Sequence, residues 1–280
     1  MTMCCCVLLC VVGSVMGVTQ LGDVVYVVCA GSSTIRRYSA TTHERLSDIS
    51  IKDLRSPWDI AACEQTSQLY VADSLECIWR VSVDGEDIKR WWSQSPSDIF
   101  APYTLSVTSS RVLVTSQRDI LVTSPGNNQL MQLDSAGDEL RRVGLPYYME
   151  PQHAVESPTG TFIISHSNTQ LEQRQDQVSE VNTEGQVLRQ FSGSLGFTPH
   201  IAVDSHGNIF VADEDNRRIL LLDSKLALRR VIIDQHQLND QRPRRLCYNE
   251  QSGRLTVALQ NSSGVIIISR SVAVFDVLQR

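Results

Sequence analysis

Between residues 198 and 233 the chain breaks into four short apolar runs separated by polar turn signals. They are HIAVD (200–204), NIFVAD (208–213), RILLLD (218–223) and LALRRVII (226–233). Gly207 and Asn208 lie between the first two, where a tight reversal calls for residues that tolerate positive φ. Four strands with short connections predict an antiparallel meander. One such sheet cannot bury both of its faces, so it needs copies of itself.

The rest of the chain supplies them. Pro57, Pro102, Pro151, Pro199 and Pro243 recur at spacings of 45, 49, 48 and 44 residues. Each is followed by an apolar strand, a turn and a second strand: QLYVAD (68–73), RVLVTS (111–116), TFIISH (161–166), NIFVAD (208–213) and RLTVAL (254–259). A sixth copy lacks the proline but carries DVVYVVCA (23–30), TIRRYSA (34–40) and ERLSDISI (44–51). Third strands are expected at 77–85, 129–137, 177–185, 218–226 and 271–278, each running into an Asp or Asn that opens a turn. No window holds a long 3.6-residue period, which excludes helical and βαβ organisation. A repeat of about 45 residues with four strands per unit predicts an all-β, six-bladed β-propeller of four-stranded antiparallel blades. The whole chain, 1–280, then forms one domain, with blades near 13–52, 56–98, 101–146, 150–193, 198–234 and 242–280.

The two ends admit two readings. The run CCCVLLCVV (4–12) is too short to span a bilayer. It either pairs with 271–278 as the outer strand of blade six, or forms the apolar part of a signal peptide spanning residues 1–17, in which case 264–269 completes blade six internally. MTM at the start supplies no positive charge for a signal peptide. The first reading goes with a cytoplasmic protein, the second with a secreted one.

Copies three, four and six carry about seven extra residues between the expected strands two and three. In copy three LVTS occurs at 113–116 and again at 121–124. In a four-stranded meander these loops emerge on the same side as the strand four–one loops. Insertions on one face of a repeat protein point to a binding face.

Composition changes this picture little. A hydrophobic share of 42% supplies a core, and a net charge of −6 argues against a general polyanion binder. Of eight cysteines, Cys4, Cys5, Cys6 and Cys10 crowd the N-terminus. Cys29, Cys63, Cys77 and Cys247 fall singly near strands, with no zinc-module spacing, and read as reduced thiols.

Copy five, with Pro199, Ile201-Ala202-Val203-Asp204, Gly207 to Asp213, Asn216, Arg218-Ile219 and Asp223, resembles an NHL repeat. Copy two matches at Pro57, Ile60-Ala61, Leu69 to Asp73 and Asp84-Gly85. The glycine usual after the proline is replaced by Asp59, Thr104, His153 and Arg245. The resemblance implies a six-bladed propeller like the C-terminal one of tripartite-motif proteins, which binds protein or RNA. The RING, B-box and coiled-coil modules of those proteins are absent from this sequence.

The start of each first strand is expected at the rim of the central channel. It presents Asp59, Thr104, His153, His200 and Arg245. Two histidines and a carboxylate are a metal-ligating combination, and the similar amidating-lyase propellers use channel histidines with zinc. Ordinary polar lining, with no metal and no cofactor, is the expectation here. No nucleophile elbow, phosphate loop or two-His helix motif occurs, so no catalytic residue is expected. The expected function is a non-catalytic, monomeric propeller that recognises a protein partner, with no membrane contact. The loop face would supply Trp58, Tyr103, Gln117, Arg118, Asn127, Asn128, His166, Asn168, Arg174, Asp213, Asp215, Arg217, Arg244 and Arg245. RNA binding on that face is one alternative, since paired arginines recur, and a secreted metal-dependent enzyme with a metal near His153 and His200 is another.

Overall fold

Pro57, Pro102, Pro151 and Pro243, which open repeats, share one local event. Proline has no N–H to donate, so it sits at the start of a strand or at a bulge. The computed structural model describes residues 6–9, 14–73, 77–93, 95, 102–108, 111–116, 128–170, 175–197, 200–238, 240–260 and 264–268. Within it the strand register shifts between Pro57 and Asp59, Pro102 and Thr104, Pro151 and His153, and Pro243 and Arg245. The bulge re-aims the side chains on either side of it. The proline-less copy makes the same shift between Val15 and Gly17.

The described strands form six antiparallel sheets of four. The first holds Val15–Leu21, Val24–Cys29, Thr34–Ser39 and Ile49–Ser50. The second holds Pro57–Cys63, Gln68–Asp73, Cys77–Ser82 and Ile88–Ser93. The third holds Pro102–Thr108, Arg111–Ser116, Gln129–Leu133 and Glu139–Gly144. The fourth holds Met149–Glu156, Phe162–Asn168, Gln175–Val181 and Val187–Gln190. The fifth holds His200–Val203, Ile209–Asp213, Arg218–Leu222 and Leu228–Ile233. The sixth holds Arg242–Asn249, Arg254–Gln260, Gly264–Ile268 and, from the other end of the chain, Cys6–Leu9.

Each sheet's first strand touches the first strand of the next, and the sixth touches the first. The chain is therefore an all-β propeller of four-stranded antiparallel sheets around an axis. Its core lies between sheets. Met16, Ile35 and Ile49 of the first sheet pack on Ile60, Val71 and Trp79 of the second. Tyr70, Ile78 and Trp91 of the second pack on Leu105, Met131 and Leu133 of the third. Each such buried side chain contributes about 1.5–3 kcal/mol, and none of it is available to a sheet standing alone.

Two expectations for the sixth repeat change. Its third strand is Gly264–Ile268, not 271–278, which lies outside the described residues. The apolar, β-branched run GVIII directly follows residues 261–263, so the long insertion expected there is absent. Cys6–Leu9 pairs with this strand, Cys6 opposite Ile267 and Leu9 opposite Gly264. The outer strand of the first sheet is also shorter than expected, because the polar stretch 44–48 makes only an isolated bridge, Tyr38 to Arg45.

A buried polar septum as the candidate active site

Gly17, Asp59, Thr104, His153, His200 and Arg245 occupy the same position in six sheets. They pair across to Val28, Ala72, Thr115, Ser165, Ala212 and Ala258. The five with polar side chains are buried, none more than 6% exposed. Together they form a septum across the axis.

Their hydrogen bonds run from sheet to sheet. Asp59 Oδ2 accepts the N–H of Leu105 at 3.0 Å, His153 Nδ1 that of Ile201 at 3.4 Å, and His200 Nδ1 that of Leu246 at 3.3 Å. Thr104 Oγ1 donates to Gln152 O at 3.0 Å. His153 Nε2 donates to Leu105 O at 3.3 Å, since a carbonyl can only accept. Gly17 has no side chain for this role, and Asp59 Oδ1 instead accepts the N–H of its own neighbour Ile60 at 2.9 Å.

The charged groups of the septum meet at Asp59. Arg245 Nε lies 3.9 Å from Asp59 Oδ1, and His200 Nε2 lies 3.9 Å from Oδ2. The His153 and His200 rings stack, with centroids 3.6 Å apart and planes at 23°. Burial raises the Asp59 pKa, against the pull of Arg245 and His153. Burial holds both imidazoles well below their usual value, helped at His153 by His200 and at His200 by Arg245. Both rings are therefore neutral at pH 7 and keep a lone pair. Ligand atoms of Asp59, His153 and His200 lie within 4.8 Å of one another, a group able to hold a metal ion.

Beneath the septum is a vestibule of about 850 Å³. First strands of all six sheets line it, and His153 and His200 close its inner end. Its mouth is set by turns carrying exposed Glu64, Gln65, Ser205 and Glu250. Glu64, Glu156, Asp204 and Glu250 line the wall together with Thr19, Gln20 and Asn249, and no Lys or Arg does. The wall is pre-organised. Glu64 accepts from Asn249 and Gln251 at 3.0 Å, and Glu156 from Gln132 at 3.0 Å. The Cys247 thiol, raised by burial, accepts the N–H of Gln20 at 3.3 Å. Among the described residues, Cys29, Cys63, Cys77 and Cys247 form no disulfide.

The residues expected on the loop face do not form one exposed surface. His166 is fully buried, its Nε2 2.9 Å from Ser179 Oγ, and burial pushes its pKa down to about 4. Asp213 is buried and accepts from Arg218 Nε at 2.7 Å, while Arg245 belongs to the septum. His166 lies inside Phe162–Asn168, which runs two residues past the expected end, Arg245 lies inside Arg242–Asn249, and Asp213 ends Ile209–Asp213. Asp215 is exposed and pairs with Arg242 at 2.9 Å, and Arg217 pairs with Asp240 at 3.3 Å. Trp58, Tyr103, Asn128, Asn168 and Arg244 are half-buried. Gln117, Arg118, Asn127 and Arg174 lie outside the described residues. Several of the paired arginines are likewise engaged: Arg142 with Glu139 at 2.9 Å, Arg229 with Asp223 at 3.9 Å. They do not assemble into a basic face. The vestibule wall, including Thr19, Gln20, Glu64 and Asn249, carried no motif that would mark it in the sequence.

No family model matches the chain, and no curated protein does. Solved structures do. Hydrazine synthase of Kuenenia stuttgartiensis superposes with a TM-score of 0.66 at 15% identity, covering 92% of this chain and 84% of that one. A chain of the nidogen/laminin complex gives 0.64 at 15% identity, covering 83% and 84%. XC5397 from Xanthomonas campestris, a gluconolactonase, gives 0.71 at 12% identity, covering 95% and 89%. At such identities the likeness establishes the propeller fold alone. The expectations of a non-catalytic protein-binding propeller and of no enzymatic activity are corrected by these findings. The reactive side chains converge on the axis, with a metal-ligating group among them, and two of the similar folds belong to enzymes.

Proposed function

We propose that the chain is a six-bladed, NHL-like propeller enzyme that hydrolyses an ester or lactone bond in the axial vestibule, with a divalent metal ion held by Asp59, His153 and His200. The observation that carries this reading is the convergence of those three buried donors within 4.8 Å, with His153 and His200 lining the inner end of the vestibule. The similarity in fold to a gluconolactonase supports the choice of reaction.

One carboxylate and two neutral imidazoles suit zinc or a similar first-row ion. Loading has a definite cost. The stacked rings must turn apart, because parallel in-plane lone pairs do not converge on one ion. The bonds to Ile201 and Leu246 that this releases, at 3.4 and 3.3 Å, are at the weak end of the hydrogen-bond range. When bound, the ion polarises the acyl oxygen and makes a water nucleophilic near neutral pH. The water oxygen bonds to the acyl carbon, the alkoxy group leaves, and the proton ends on that leaving oxygen. The vestibule surrounds the reacting bond with fixed acceptors and excludes bulk water from its inner end. With four carboxylates and no Lys or Arg on the wall, it favours neutral substrates over anions.

The test is zinc content by elemental analysis, followed by hydrolysis of glucono-δ-lactone and of p-nitrophenyl acetate. Stoichiometric zinc with hydrolysis lost in Asp59→Asn and His200→Ala, both folded by circular dichroism, supports the reading. Zinc-loaded protein that hydrolyses neither substrate overturns it.

A further inference from the structure

On the far side of the septum from the vestibule, two buried ionisable groups carry atoms without hydrogen-bond partners, although Arg245 Nη1 donates to Arg244 O at 3.4 Å. Arg245 is 1% exposed, and its Nε and Nη2 bond to nothing among the described residues. Glu214 is 2% exposed, and its Oε2 is likewise unpartnered. The two are close enough to feel each other, and both feel Arg244. Leaving such atoms unmatched is unfavourable, the more so for a charged group.

The surroundings define what would satisfy them. Arg244 belongs to the sixth sheet, yet it lies within electrostatic reach of Glu214 and of Tyr103 of the third. Tyr103 packs on Trp58 with ring centroids 5.0 Å apart. Trp58, Tyr103 and Arg244 are half-buried and reach solvent, above Arg245 and Glu214. Asp59 is already committed to the N–H groups of Ile60 and Leu105 as well as to Arg245. Arg244 has no ion pair within 4 Å among the described residues. The cluster thus offers arginine donors in excess, one carboxyl that can take a hydroxyl, and an aromatic pair.

We propose that this upper end of the axis binds a small hydroxy-carboxylate. Its carboxylate meets Arg244 and the open Nη2 of Arg245, a hydroxyl meets Glu214, and its C–H face lies on Trp58 and Tyr103. Arginine is suited to planar carboxylates, and a hydroxyl can accept from one group while donating to another. The site is separate from the vestibule, so this inference does not rest on the proposed hydrolysis.

The experiment titrates the full chain with D-gluconate, and in parallel with acetate and glycerol, following tryptophan fluorescence and ligand-observed saturation-transfer NMR. Saturable gluconate binding, about tenfold tighter than acetate or glycerol, is expected. Arg244→Ala, at a half-exposed position where folding is retained, weakens it about tenfold, as does Glu214→Ala, while Tyr147→Ala leaves it unchanged. Gluconate that binds no better than acetate, binding indifferent to Arg244→Ala, or no saturable binding would each mean that water alone fills the cluster, and would overturn the proposal.

Discussion

His153 Nδ1 accepts the backbone N–H of Ile201 at 3.4 Å, so a side chain of the fourth sheet holds the main chain of the fifth. Asp59 does the same for Leu105 and His200 for Leu246, each across 46 residues. The polar septum is therefore structural as well as reactive, and its substitutions should separate the two roles.

Asp59 carries both. Asp59→Ala leaves Arg245 buried without its counter-charge and two N–H groups without an acceptor. A loss of about 3–5 kcal/mol is expected in urea unfolding. Asp59→Asn keeps an acceptor and should cost distinctly less, while abolishing zinc binding.

Arg245 opposes a metal ion, because its guanidinium already sits 3.9 Å from the carboxylate. Arg245→Gln should tighten zinc binding about tenfold or more in competition with a chromophoric chelator. Unchanged or weaker affinity would place the ion away from Asp59.

Glu214 should make stability fall with rising pH. Burial pushes its pKa up to about 7 from 4.5, opposed by Arg244, Arg245 and Arg242 and reinforced by Asp215. The folded state therefore holds a proton that the unfolded state has released. Stability drops as pH rises from the unfolded value toward the folded one and is flat above it. Glu214→Gln should be neutral near pH 4 and stabilising at pH 8, by up to about 3 kcal/mol, in paired denaturation curves.

Gly17 fills the septum position with no side chain because none fits. A Cβ there would lie 2.6 Å from Ile60 N and 2.8 Å from Asp59 Cα, both backbone atoms. Gly17→Ala should cost about 1–3 kcal/mol, with a lowered melting temperature, and should loosen the seam between the first two sheets.

Much of this was legible in the sequence. The spacing of Pro57, Pro102, Pro151, Pro199 and Pro243 and the paired apolar runs located the strands, and the residues after the prolines located the septum. What the sequence could not convey was direction. His166 and Asp213 close the apolar runs 161–166 and 208–213 and read as surface residues, yet both are buried, and the strand of His166 continues to Asn168. Glu214 reads as one acid in an Asp-Glu-Asp turn, and only its burial in the folded ring makes it unusual. The vestibule wall draws a few residues from each of six sheets, and one-dimensional spacing carries no signal for that. In the sixth repeat, 271–278 matched the third-strand pattern, but the nearer run GVIII took the place.

The pairing of Cys6–Leu9 with Gly264–Ile268 also sets a timetable. On the ribosome the first partner emerges early and the second only 255 residues later (264 − 9). At about 5–20 residues per second, that is a wait of roughly 13–51 s. For that interval the apolar strand has no native mate, and the sheets already made have an open seam. Such a chain needs shelter at its leading end throughout synthesis, and its yield should depend on the supply of chaperones more than on the final stability of the ring.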